Sequence, residues 1–251
     1  GGSTMPIIYL SPSTQEFNPY ITGAGSEEYF MNRIADEMEP YLRANTIRFK
    51  RNSPDMTAAS SIAQANRGTY DLYLALHSNA SGDGATEGRV RGIIAFYYPT
   101  SRNGRRAATI FADNLRAIYP LPDRVTTRAT TALGEVRQPK APSVLLEIGY
   151  HDNTADAQWV QNNIRPIAEN LVLSLTEYFG LPFITPITPR TGTVNTLRDP
   201  LNLRAKPNTA SAIVTTIPRG ATVTVYGVYD GWYSVGYGDT AGYVSAGFIV
   251  L

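Results

Sequence analysis

Three short apolar runs end in residues that suit chemistry. Leu72–Leu76 leads into His77-Ser78-Asn79, Val144-Leu145-Leu146 into Glu147 with Gly149 and His151 beyond it, and Ile7–Leu10 into Ser11-Pro12-Ser13-Thr14-Gln15. In open α/β sheets ligands bind beyond the carboxyl ends of strands, so a histidine or glutamate there faces a cleft. A fourth candidate comes from helical phase. Met31, Ile34, Met38, Tyr41 and Leu42 recur at spacings of three and four and mark a buried stripe. Glu27 falls on that stripe, whereas Glu28 points about 100° away. An inward carboxylate needs a partner to offset its desolvation; its plainer role is to favour the positive helix N-terminus. Together the candidates suit metal-assisted amide hydrolysis. Glu27 and His77 are suitable ligands for Zn²⁺, and Glu147 is placed as a non-ligating general base for water whose pKa the ion lowers to about 7. Taken singly, His77 also reads as a hydrogen-bonded structural histidine, and Glu147 as an ion-pair partner of Arg137 or Lys140.

Composition narrows the field. The chain has 251 residues, a net charge of +1, no cysteine and two histidines. Without cysteine there are no disulfides, thiolate zinc sites or cysteine nucleophiles, and two histidines cap any site at two imidazoles. With 43% hydrophobic and 17% charged residues it is neither a disordered tail nor a membrane protein. No apolar run approaches the roughly 20 residues that span a bilayer. A near-neutral charge gives no electrostatic case for nucleic acid. A serine nucleophile lacks the Gly-x-Ser-x-Gly turn that would expose it. Gly1-Gly2-Ser3-Thr4 ahead of Met5 reads as a cloning remnant, with neither the basic start nor the apolar core of a signal peptide.

The elements that must position these residues fall into two idioms. From Pro6 to Phe183, apolar runs (Ile7–Leu10, Ile47–Phe49, Leu72–Leu76, Ile93–Tyr98, Val144–Ile148) alternate with helical patterns (Glu27–Ala44, Ala58–Arg67, Arg105–Ile118, Ala155–Phe179). This alternation predicts an α/β domain: a mostly parallel sheet with helices on both faces. A proline-rich stretch, residues 184–191, reads as a semi-rigid linker. Residues 192–251 turn to branched strands such as Ala221–Val228 and Tyr233–Tyr237, punctuated by Pro207-Asn208, Pro218-Arg219-Gly220 and Asp230-Gly231. That predicts a small all-β barrel.

Over Pro6–Phe183 the sequence resembles the zinc-dependent N-acetylmuramoyl-L-alanine amidases of the amidase-3 type. The resemblance is carried by the glutamate opening the first long helix, by Leu76-His77-Ser78-Asn79-Ala80, and by Val144-Leu145-Leu146-Glu147-Ile148-Gly149-Tyr150 with Asn153. It implies that Glu27 and His77 are zinc ligands and Glu147 the catalytic glutamate; Asn79, at the same strand end as His77, is a candidate substrate contact. The family carries a further zinc histidine just after the first strand. Here Thr14 occupies that place with Gln15 beside it, so the third ligand falls to Gln15 or to His151. The Ser-Pro-Ser-x-Gln start and Tyr-His-Asp-Asn end are similar to a divergent clostridial-type branch. Leu201–Pro207, Ile217–Gly220, Gly231–Val235 and Gly242-Tyr243-Val244 resemble a bacterial SH3 domain, with Tyr243 in place of the usual tryptophan. Such modules anchor hydrolases to cell-wall peptide. Tyr229, Trp232 and Tyr237 are then candidates for a peptide groove, against a competing role in filling a small barrel.

The expected function is hydrolysis of the amide between N-acetylmuramic acid and L-alanine of the stem peptide. Peptidoglycan is the partner, and the location is secreted or cell-wall associated. Arg91 and Arg137 are candidates for peptide carboxylates. The alternative is a non-catalytic peptidoglycan-binding protein with a degenerate metal site.

Overall fold

The computed structural model describes residues 5–251; Gly1–Thr4, and with them the reading of a cloning remnant, lie outside the described residues. The chain forms two compact units, one of residues 8–38 and 49–178, the other of residues 5–7, 39–48 and 179–251.

The first unit is built on six strands: β1 (Ile7–Pro12), β2 (Arg48–Arg51), β3 (Leu72–Asn79), β4 (Ile93–Tyr97), β5 (Val125–Ala129) and β6 (Ser143–Tyr150), in the order β2-β1-β3-β6-β4-β5. β1 and β3, β3 and β6, and β4 and β5 are parallel, while β4 runs antiparallel to β6. The helices are α1 (Glu27–Ala44), α2 (Ala58–Ala65), α3 (Arg102–Arg116), α4 (Gly134–Arg137), α5 (Thr154–Asn162) and α6 (Ile164–Phe179). Two elements escaped the sequence reading. β5 is buried only at Val125 and lacks an apolar run, and α4 is one turn long. The single helix expected over Ala155–Phe179 is two helices. α6 begins at Ile164, which puts Pro166 in its first turn, where its missing N–H has no intrahelical partner to lose.

Strand parity decides what faces what. Ile8 and Leu10, Leu72, Leu74 and Leu76, and Val144 and Leu146 share one face. Tyr9 and Ser11, Tyr73, Ala75 and His77, and Leu145 and Glu147 share the other, since the register pairs Tyr9 with Tyr73, Ser11 with Ala75, and His77 with Glu147. Tyr9 stacks on Tyr73 at 5.2 Å between ring centroids, and both pack with Ile62, Ala65 and Val136. Beyond Glu147 the register slips, so that Asn79 pairs with Tyr150. Gly149 absorbs the extra residue at φ +75°, a conformation that other residues resist.

The second unit holds β7 (Arg190–Val194), β8 (Leu201–Arg204), β9 (Ile213–Ile217), β10 (Thr222–Tyr229), β11 (Trp232–Tyr237), β12 (Thr240–Ser245) and β13 (Ile249–Val250), ordered β13-β7-β10-β11-β12-β8-β9. Its strand pairings among the described residues are antiparallel. Alternating Val223, Val225, Val235 and Val244, with Leu203 and Ile217, form its core. Asp230 and Gly231, at φ 44° and 78°, close the β10–β11 hairpin as Asp-Gly pairs do. Tyr243 is fully buried, and its hydroxyl accepts from Thr46 Oγ1 at 3.3 Å. The proline-rich stretch has no regular secondary structure. Ile184 is pinned by both its backbone groups to the Asn45 side chain, at 2.7 and 2.9 Å.

The corner after β6 depends on one carboxylate. Asp156 is fully buried and accepts from Tyr119 OH (2.7 Å), Arg91 Nε (2.8 Å), Tyr150 N (3.0 Å) and Gly92 N (3.1 Å). Its loss leaves these donors without an acceptor, so Asp156→Ala is expected to destabilise the chain by about 3 kcal/mol. The check is a lower urea midpoint with an unchanged m-value.

Candidate active site

β3 and β6 lie side by side and deliver His77 and Glu147 to the same sheet face in register. Glu27 arrives from the first turn of α1. Ser26 starts that helix by accepting from Tyr29 N at 3.1 Å, and Glu27 N donates to Asn18 O at 2.9 Å, which ties the preceding loop to the helix start. Glu27 is 2% exposed, so helical phase predicted its inward placement correctly. Its Oε1 lies 2.8 Å from His77 Nδ1.

The other ring nitrogen meets a residue that the sequence reading missed. Glu135, on α4, places Oε2 2.7 Å from His77 Nε2. Its Oε1 accepts from Ser11 Oγ at 2.6 Å and Tyr73 OH at 2.7 Å. Ser11, Tyr73 and His77 share a sheet face, so strand parity was the available signal: three polar groups on one buried face require a common partner.

His77 therefore lies between two buried carboxylates. Burial alone would push its pKa down, but hydrogen bonds and charge from Glu135 and Glu27 hold it well above 6.5. Burial likewise opposes ionisation of the two carboxyls, yet the hydrogen bond and charge of His77 keep both below 4.5, helped by Asn18 and Ser13 at Glu27 and by Ser11 and Tyr73 at Glu135. Glu147 is the opposite case. Its Oε2 is buried and accepts no hydrogen bond from any described residue. Burial pushes its pKa up to about 7; the positive charge of His77 opposes this, and the charges of Glu27 and Glu135 add to it. Arg137 donates instead to Thr131 O and Lys140 Nζ to Asn66 O, so neither pairs with Glu147.

The two candidates for a third ligand are placed differently. Asn18 Nδ2 donates to Glu27 Oε2 and to Gln15 Oε1, both at 2.7 Å, so one amide group holds the Gln15 oxygen alongside the Glu27 carboxylate. His151 stacks on Tyr20, and its Nδ1 lies 3.1 Å from Ser78 Oγ and 3.0 Å from Ser78 O. It shares no hydrogen bond with Glu27, His77 or Glu147. Asn79 accepts from Ala80 N through its side chain and from His151 N through its carbonyl. Arg91 is committed to Asp156. A cavity of about 300 Å³ opens beside His77 and Glu135, with Ser13, Thr14, Gln15 and Phe17 along its wall.

Among the described residues no three His, Asp or Glu side chains form a ready-made metal cluster. One imidazole nitrogen, one carboxylate and an adjacent amide oxygen nonetheless make a donor set of the borderline type that zinc accepts. A positive charge already sits between Nδ1 and Glu27 in the form of a proton, and the unpaired Glu147 oxygen lies on the neighbouring strand. These residues fit the ion.

In the second unit, Trp232 lines a groove of about 670 Å³ with Leu197, Arg198, Arg204 and Phe248. Tyr229 is 40% exposed, outside that groove. Tyr237 packs against the barrel core.

Comparison with known proteins shows the family and the fold. Residues 17–177 match the N-acetylmuramoyl-L-alanine amidase family Amidase_3, and residues 199–250 match the bacterial SH3 domain. The fold is similar to N-acetylmuramoyl-L-alanine amidase AmiC2 of Nostoc punctiforme, at a TM-score of 0.61 and 15% identity over 72% of this chain and 99% of that one. An N-acetylmuramoyl-L-alanine amidase of Clostridium difficile 630 gives 0.62 and 16%, over 71% and 98%. The catalytic domain of CwlV from Bacillus (Paenibacillus) polymyxa gives 0.60 and 17%, over 70% and 99%. No curated protein matches closely in sequence. The chain belongs to the N-acetylmuramoyl-L-alanine amidase family. Its class is peptidoglycan hydrolase, in a family that is typically zinc-dependent, with a bacterial SH3 domain in its C-terminal region.

The raised Glu147 carboxyl has a consequence for stability. Its folded pKa of about 7 exceeds the ordinary 4.5, so the folded chain holds this proton more tightly than the unfolded one. Ionised Glu147 thus costs stability, growing from nothing below pH 4.5 to a plateau above 7, of about 3 kcal/mol. Glu147→Gln is expected to raise the urea midpoint of the metal-free chain at pH 8, with the gain gone by pH 4.

Proposed function

We propose that Glu27, His77 and Gln15 hold a zinc ion and that Glu147 is the general base that cleaves the amide between N-acetylmuramic acid and L-alanine. The observation that carries this reading is the buried, unpaired Oε2 of Glu147 beside His77, on a carboxyl poised near neutral pH. Zinc, when bound, polarises the scissile carbonyl and eases deprotonation of water. Glu147 takes the proton from the attacking water and returns it to the departing L-alanine nitrogen, leaving the lactyl carboxylate and a free amine. Asn18 keeps Glu27 and Gln15 oriented toward each other. We assign the glycan–peptide junction to the cavity walled by Thr14, Gln15 and Phe17, with Asn79 beside the strand end.

The functional division follows the chain: residues 6–183 for hydrolysis, 184–191 as linker and 192–251 for wall attachment. Trp232 in its groove, with exposed Tyr229, is the anchor we assign to wall peptide. Such a substrate places the protein at the cell wall or outside the cell.

The test is digestion of purified peptidoglycan by the zinc-loaded chain. New alanine N-termini should appear, and Glu147→Gln should lower kcat by about 10²–10⁴-fold. Wild-type activity equal to that of Glu147→Gln would sink the assignment, and peptidoglycan binding without hydrolysis or zinc would favour the non-catalytic alternative. A companion pair separates the third ligands: Gln15→Ala should weaken zinc retention against a chelator, while His151→Ala leaves it unchanged.

A further inference from the structure

We propose that Glu135 is a positioning residue of the metal centre: it accepts the Nε2–H of His77, fixes the ring, and thereby directs Nδ1 to the ion alongside Glu27. The inference rests on the zinc reading above but concerns a residue outside its ligand set.

Both carboxylates lie within hydrogen-bond distance of the ring, so the question is which is a ligand and which is a support. Glu135 is saturated. Its Oε1 takes two hydroxyl donors, Ser11 at 2.6 Å and Tyr73 at 2.7 Å, while Oε2 meets His77 at 2.7 Å. Those hydroxyls come from two different strands and hold the carboxylate at 5% exposure. Glu27 takes Asn18 on Oε2 and His77 on Oε1. Through Asn18 it also has the Gln15 oxygen beside it, whereas both oxygens of Glu135 are taken up by His77, Ser11 and Tyr73. The ion therefore belongs at Nδ1. Metal-bound histidines characteristically donate their second N–H to a carboxylate, which fixes the tautomer and raises ligand basicity. Here that support also offsets a weak partner, since an amide oxygen binds zinc less strongly than an imidazole does.

The experiment compares zinc affinity, by chelator competition, of the full chain and of Glu135→Gln, together with ¹⁵N NMR of the zinc-loaded wild type. Wild-type His77 should carry zinc on Nδ1 and hydrogen on Nε2. Glu135→Gln should bind one equivalent of zinc about 10–100-fold more weakly. Tyr73→Phe and Ser11→Ala, which leave the carboxylate in place, should each give a smaller loss. Zinc on Nε2, or unchanged affinity in Glu135→Gln, overturns this inference and leaves the zinc reading standing. A wild-type chain that binds no zinc overturns both. Should Glu135→Gln fail to fold, the wild-type tautomer and the Tyr73→Phe affinity decide the question.

Discussion

Three buried charges in a row, Glu27–His77–Glu135, set the terms for the rest of the catalytic unit. A carboxylate removed from water is costly unless it is paired and hydrogen-bonded. The imidazolium satisfies one oxygen of each carboxylate, and Asn18, Ser11 and Tyr73 satisfy the others. The members come from a helix start, a strand end, a short helix and the loop between β1 and α1. None of these segments can shift without exposing a charge, so the triad fixes their relative positions. Burial is the main cause that keeps Glu147 protonatable near neutrality; His77 opposes it, and the Glu27 and Glu135 charges add to it.

How legible this was depended on whether the partner lay in the same element. Glu27 was readable because its helix carries its own reference stripe. His77 and Glu147 were readable because an apolar run ending in a polar residue is a local pattern. Glu135 was not, because a four-residue helix has no periodicity and its partners are 58 to 124 positions away. Gln15 and His151 were equivalent in sequence, each lying just past a strand end. They part only when Asn18 closes the loop onto Glu27 and the Gly149 slip carries His151 toward Tyr20. The alternation of strands and helices was legible through Leu146, and the sheet order was not, since nothing local distinguishes the antiparallel β4–β6 pairing from a parallel one.

The same limit governs the second unit. Its strands and the Asp230-Gly231 turn follow from residue type, but the inward side of β10 does not, because a bulge between Val225 and Gly227 shifts the alternation. Tyr229 thereby stands exposed, while Tyr243 two strands away is fully buried. An aromatic count alone describes both a core and a groove. Geometry divides them: Tyr243 inside, Trp232 along the groove.

The departure from the family pattern at Ser11–Gln15 acquires a physical sense from this geometry. The segment lacks a histidine, with Thr14 in its place, and so gives up the strongest neutral donor for zinc. It supplies two other things: the Gln15 oxygen beside Glu27 and the Ser11 hydroxyl that fixes Glu135. In the proposed site a weaker donor beside the ion is coupled, through the same strand end, to a firmer hold on His77. A site of this kind depends more on the orientation of His77 than one with two histidines does. Two of the hydrogen bonds that secure that orientation, from Ser11 and Tyr73, come from the sheet face that carries His77 itself.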